Sequence, residues 1–175
     1  VLHEALLRMG HRADLVDVYR GDCTINGSIS VKEASNRKYD LIIHPVHLDP
    51  AYSLLRHLSS PSITHHEAVR WIAEQMILRD RADAGGRVIE VTGTRGKTTT
   101  ATALASILPG PGILHTSQGT YRYPEKELLR RMSITPASLI TALSFRNQGE
   151  WFIGEVSLGF TGIGDLAILT SDEDY

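Results

Sequence analysis

The chain has 175 residues, 42% hydrophobic and 22% charged, with a formal net charge of -2; this ordinary globular composition excludes a disordered or fibrous chain and offers no bulk field for nucleic acid or an acidic membrane. Cys23 is the single cysteine, which excludes an internal disulfide and a cysteine-pair metal site and fits a reducing, cytoplasmic setting. No apolar run approaches the roughly 18 residues of a membrane span, and no charged-then-apolar signal opens the chain.

Leu2, Ala5, Leu6 and Met9 stand at helical spacing, and Gly10 is a natural stop. The stretch "ADLVDVY" reads as a strand, Gly21 to Ser28 as a polar turn, "YDLIIHP" as a buried-type strand and "AYSLLRHL" as a short helix entered from Pro50. Thr64 and Glu67 are spaced as a capping box for a helix whose apolar stripe is Val69, Ile72, Ala73, Met76 and Ile77. "RDRADAGG", Arg79 to Gly86, lacks apolar periodicity and ends in two glycines, so a linker over 81–86 separates a first domain, 1–80, from a second, 87–175.

In the second domain, strands are expected at Val88 to Val91, Gly112 to His115, Trp151 to Val156 and Leu166 to Leu169, with helices from Lys97 and within Ala137 to Leu143. Strands interleaved with helices imply an α/β fold with a mostly parallel sheet. The chain begins at Val1 directly before a helix and stops just after a strand, which reads as a fragment lacking a first strand and a C-terminal part.

"VTGTRGKTTT", Val91 to Thr100, joins a strand to a helix through a glycine turn. Such a junction presents backbone N–H groups and the positive end of a helix dipole together, which suits phosphate. Gly93 and Gly96 leave the approach open, Lys97 can set its ammonium between terminal phosphates, and the Thr98 hydroxyl can reach Mg²⁺. The general eight-residue loop has glycine where this chain has Val91, leaving the short form T-G-x-x-G-K-T. Thr99 and Thr100 either line the loop or cap the helix.

These residues resemble the ATP loop of the Mur ligase family, T-G-T-x-G-K-T-T-T. "ITPASLITAL" is similar to the Thr-Pro-plus-helix segment of some members, "GEVSLG" to their E-x-S strand end, and "DLAILTS" to the strand before their T-N…D-H segment. The resemblance covers Arg87 to Ser171 and implies a Rossmann-like N-terminal substrate domain followed by a P-loop central domain. It further implies ATP and Mg²⁺ as cofactors, with Gly93, Thr94, Arg95, Gly96, Lys97, Thr98 and Thr99 around the phosphates. Lys97 would act on the β and γ phosphates, and Thr98 and Glu155 would hold the metal. The reaction implied is activation of a small-molecule carboxylate as an acyl phosphate, with release of ADP. The family pattern fails after Thr170, where Ser171 and "DEDY" replace the expected Asn and His.

"IIHPVHLDP", "SITHHEAV" and "ILHTSQGT" look more like the archaeal branch of the family that closes a carbocyclic ring on a nickel seco-tetrapyrrole. An amide-forming member of the family and a non-ligase P-loop ATPase switch remain alternatives. Seven of the eight His precede residue 67. Of these, His44, His47, His65 and His66 are candidate contacts to such a substrate or its metal, against the plainer reading of hydrogen-bonding imidazoles. Arg122, Lys126, Arg130 and Arg131 can steer a polyanion, although a solvated helix face shared with Glu125 and Glu127 is the plainer reading. The oligomeric state is not set by the sequence.

Overall fold

The computed structural model describes residues 1–18, 25–49, 51–57, 59–80, 86–157 and 159–171. Its contacts divide the chain into two compact units, Leu2–Ala68 and Val69–Tyr175.

In the first unit, α1 (Leu2–Arg8) ends as expected at Gly10, whose φ of 87° suits only glycine. Helix α2 (Val31–Ser35) is capped by Ser30, whose hydroxyl accepts from Glu33 N at 3.1 Å. Strand β1 (Ile42–His44), α3 (Ser53–His57) and β2 (Ser62–Thr64) follow, and β1 and β2 pair in parallel with Ile43 opposite Ile63. The expected strand over "ADLVDVY" does not form. Leu15 makes only an isolated bridge to Ser28, and the Asp14 carboxylate is engaged by Tyr39 Oη at 2.9 Å and Arg37 at 2.8 Å. Tyr19 and the first half of the expected polar turn, 21–24 with Cys23, lie outside the described residues.

Helix α4 (His65–Asp80) begins with the capping box anticipated at Thr64. Thr64 N donates to Glu67 Oε2 at 2.7 Å, and Glu67 N donates to Thr64 Oγ1 at 3.3 Å. The Thr64 N–H and hydroxyl, both donating to Glu67 Oε2, hold the Glu67 carboxyl below its ordinary range. Val69, Ile72 and Ala73 are buried, and Met76 packs beside them; the Ile77 side chain lies outside the described part. Because this stripe belongs to the core of the second unit, the compact units divide at Ala68 and Val69, before residue 80. Arg79 and Asp80, read as linker, are the last turn of α4, and residues 81–85 are not described.

The second unit contains β3 (Val88–Thr92), α5 (Lys97–Ile107), β4 (Gly112–Thr116), β5 (Gly119–Tyr123), β6 (Glu127–Arg130), α6 (Pro136–Leu143), β7 (Trp151–Glu155) and β8 (Leu166–Leu169). The sheet order is β6-β5-β4-β7-β3-β8. Strands β4, β7, β3 and β8 are parallel, and β5 and β6 extend the sheet antiparallel. Strands β3, β4 and β7 are buried at every residue, because both faces are covered. One face packs Val88, Ile113 and Phe152 against Ala73, Leu139 and Leu143. The other packs Ile89, Leu114 and Ile153 against Ala101 and Ala105 of α5. Each large apolar side chain sealed in this way contributes about 1.5–3 kcal/mol.

The basic stretch read as a helix face is the β5–β6 hairpin instead. Arg122 is committed within the fold, bonding Glu150 Oε1 at 2.7 Å and the Phe145 carbonyl at 2.8 Å; Lys126 and Arg130 remain exposed on the hairpin, and Arg131 is exposed just beyond it. On β3, Glu90 is 1% exposed yet well paired. It accepts from Thr161 N, Thr161 Oγ1, Ile163 N and Gly164 N at 2.7–3.0 Å, tying the segment before β8 to the sheet.

Candidate phosphate-binding site at the strand ends

Four parallel strands end at the same edge of the sheet, and ligands of open α/β sheets bind there. Thr92 closes β3, Glu155 closes β7, Thr116 closes β4 and Leu169 closes β8. Because β7 lies directly beside β3, Glu155 stands next to the loop that leaves β3.

That loop, Gly93 to Gly96, runs into α5 at Lys97. Gly96 is the N-cap with φ 81° and supplies no side-chain cap bond. The first-turn N–H groups therefore face the loop without a capping hydroxyl, the arrangement that receives an anion. Thr99 and Thr100 lie inside the first turn, and neither caps the helix; Thr100 N is satisfied by Gly96 O at 2.9 Å. Lys97 folds back along the loop and donates Nζ to Gly93 O at 2.6 Å.

Thr98 Oγ1 donates to Glu155 Oε2 at 2.9 Å. Ser117, just past β4, donates its backbone N to the same oxygen at 2.9 Å, and its Oγ stands 3.2 Å from Thr98 Oγ1. Two hydroxyls and a carboxylate that is 2% exposed thus converge at one point. They are hard oxygen donors of the kind that bind Mg²⁺ alongside water and phosphate. Among the described residues, no group of three His, Cys, Asp or Glu forms a metal site, but a magnesium ion shared with phosphates does not require one.

Sequence reasoning found Gly93, Gly96, Lys97, Thr98 and Glu155, and the fold brings them together. It gave no role to Ser117, although Ser117 stands in the string "ILHTSQGT", just past the end of β4. Ser171, noted as a departure from the family pattern, is bonded to the loop: its Oγ accepts from Thr94 N at 2.9 Å and Arg95 N at 3.2 Å.

The candidate histidines lie in the first unit, and two of them, His44 and His65, line an apolar cavity of about 460 Å³ together with Tyr39 and Tyr52. His44 Nδ1 lies 3.0 Å from Pro45 O. The His65 and His66 rings are 4.4 Å apart. Burial pushes the His65 pKa down, and nearby His66, His47 and His44 push it further. His47 is exposed.

No helix among the described residues is long and apolar enough to cross a membrane. No family model matches the chain. A solved structure of UDP-N-acetylmuramoyl-L-alanyl-D-glutamate–2,6-diaminopimelate ligase aligns with a TM-score of 0.42 at 18% identity, over 81% of this chain and 36% of that one. Coenzyme F(430) synthetase of Methanosarcina acetivorans is 39% identical over 150 residues, which cover 78% of this chain and 31% of the relative. The chain thus spans less than a third of that protein. On this relationship the resemblance read from the phosphate loop and its following motifs holds: over most of its length the chain is similar to coenzyme F(430) synthetase.

Proposed function

We propose that the chain carries the ATP-binding part of an ADP-forming, carboxylate-activating ligase, with residues 87–175 as the nucleotide domain, joined in its core by α4 beyond Ala68, and the first unit, Leu2–Ala68, as a substrate domain. The observation that carries this reading is the meeting of Thr98 and Glu155 at 2.9 Å beside the glycine loop. A loop that only bound phosphate would not need a buried carboxylate beside its first-turn hydroxyl. A loop that shares Mg²⁺ with the γ-phosphate does.

With ATP bound, Lys97 would release the Gly93 carbonyl and turn to the β and γ phosphates, and the N–H groups of Gly96, Lys97 and Thr98 would face them. Thr98 and Glu155 would hold Mg²⁺, which would supply charge neutralisation for the transferred group. A substrate carboxylate oxygen attacks the γ-phosphorus as the bond to the ADP oxygen breaks, giving an acyl phosphate and ADP. A nucleophile then attacks the acyl carbon and expels phosphate. The residues described here supply positioning and charge neutralisation.

Similarity to coenzyme F(430) synthetase supports a nickel seco-tetrapyrrole propionate as the carboxylate, with a carbon nucleophile closing a ring. The test is ADP release by the full-length protein, wild type against Lys97→Ala, with each candidate substrate. Release that requires the seco-tetrapyrrole and is lost in the variant is expected. Release requiring an amino acid and a UDP-linked acceptor would point to amide formation, and substrate-independent release to an ATPase switch; either would reject ring closure.

A further inference from the structure

Two hydroxyls at the end of β8 are bonded to the phosphate loop from outside it. Thr170 N continues the parallel ladder, donating to Thr92 O at 3.0 Å. The Thr170 hydroxyl then turns to the carbonyls of Thr92, at 3.0 Å, and Arg95. Ser171 Oγ accepts from Thr94 N and Arg95 N and lies 2.8 Å from Thr94 Oγ1. Gly93 permits this approach: its φ is 132°, and a Cβ there would collide with Thr170 Oγ1. Carbonyl and amide groups on consecutive loop residues are thereby fixed by side chains 75 to 78 positions away in sequence.

We propose that Thr170 and Ser171 are positioning residues for the phosphate loop, holding the curvature in which the N–H groups of Gly96, Lys97 and Thr98 converge. The inference rests on the ATP reading of that loop. A glycine-containing turn left to itself must be ordered when ligand binds, and that ordering is subtracted from affinity. The two hydroxyls order it beforehand. Thr94 and Arg95 are exposed, so water takes over their hydrogen bonds if a hydroxyl is removed. The loss therefore falls on nucleotide affinity more than on folding. Since the hydroxyls directly follow β8 and the loop directly follows β3, two strands paired in parallel, the coupling also links nucleotide occupancy to the position of the β8 end.

The test is titration of the full-length protein with ATP and Mg²⁺, together with steady-state kinetics and thermal unfolding. Ser171→Ala and Thr170→Val are expected to raise both Kd and KM for ATP about tenfold, with kcat at saturating ATP and Tm close to wild type. Ser171→Thr and Thr170→Ser, which keep the hydroxyls, are expected to bind like wild type. Unchanged or tighter binding by Ser171→Ala and Thr170→Val, with wild type binding normally, would overturn the positioning role alone. A fall in Tm and kcat at unchanged Kd would also overturn it, marking the contacts as structural. A wild-type protein that binds no ATP would reject the nucleotide reading and this inference with it.

Discussion

Thr98 and Glu155 are separated by 57 positions in sequence and joined by a 2.9 Å hydrogen bond in the fold. The bond exists because β7 inserts between β4 and β3 in the sheet, although β4 precedes it in the chain. Glu155→Gln keeps an acceptor for Thr98 and Ser117 but removes the charge. It is expected to preserve the fold while lowering ATP-dependent phosphate release at least about 100-fold. Nucleotide titrations with and without Mg²⁺ should differ in the wild type and coincide in the variant.

Gly93→Ala tests the loop's geometry. Its φ of 132° and the obstruction at Thr170 Oγ1 act together. A strained residue of this kind costs roughly 1–3 kcal/mol before any displacement of β8. The variant is expected to fold with a lowered Tm and to lose detectable ATP binding, as read by calorimetric titration and thermal unfolding on the same sample.

Glu90 supports the sheet, not the chemistry. Glu90→Ala leaves the N–H groups of Thr161 and Ile163 without their buried acceptor, an unpairing worth roughly 1–3 kcal/mol each. A destabilisation of about 3 kcal/mol or more is expected, with Glu90→Gln milder. Denaturant unfolding measures both; unchanged stability in Glu90→Ala would contradict the clamp.

His115 provides a pH signature. It is fully buried on β4, its Nδ1 lies 2.9 Å from Thr120 Oγ1, and burial pushes its pKa down to about 4, the Ser133 backbone opposing this only in part. Between the ordinary His value of 6.5 and about 4 the unfolded chain binds a proton that the folded chain does not. Its contribution is therefore fully present above pH 6.5 and is lost as pH falls towards 4. The loss is roughly 2–3 kcal/mol across that window. His115→Gln should flatten this part of the stability profile, measured as the denaturation midpoint against pH.

The local features were legible in the sequence because their causes are local. Gly10 and the Thr64–Glu67 box mark helix ends by their own backbone and side-chain chemistry. The apolar runs of β3, β4 and β7 record burial on both faces, and Gly93, Gly96, Lys97 and Thr98 sit within one turn of chain. The strand read at "ADLVDVY" failed because its alternation is local while the partners of Asp14, Arg37 and Tyr39, are not. The β5–β6 hairpin was hidden by its charges, whose meaning depended on Glu150 arriving opposite Arg122. Strand order itself was decided only in three dimensions. Pairing joins segments distant along the chain, and its energy depends on which faces the helices cover. That order set Glu155 and Ser117 on the Thr98 hydroxyl, and Thr170 and Ser171 behind the phosphate loop.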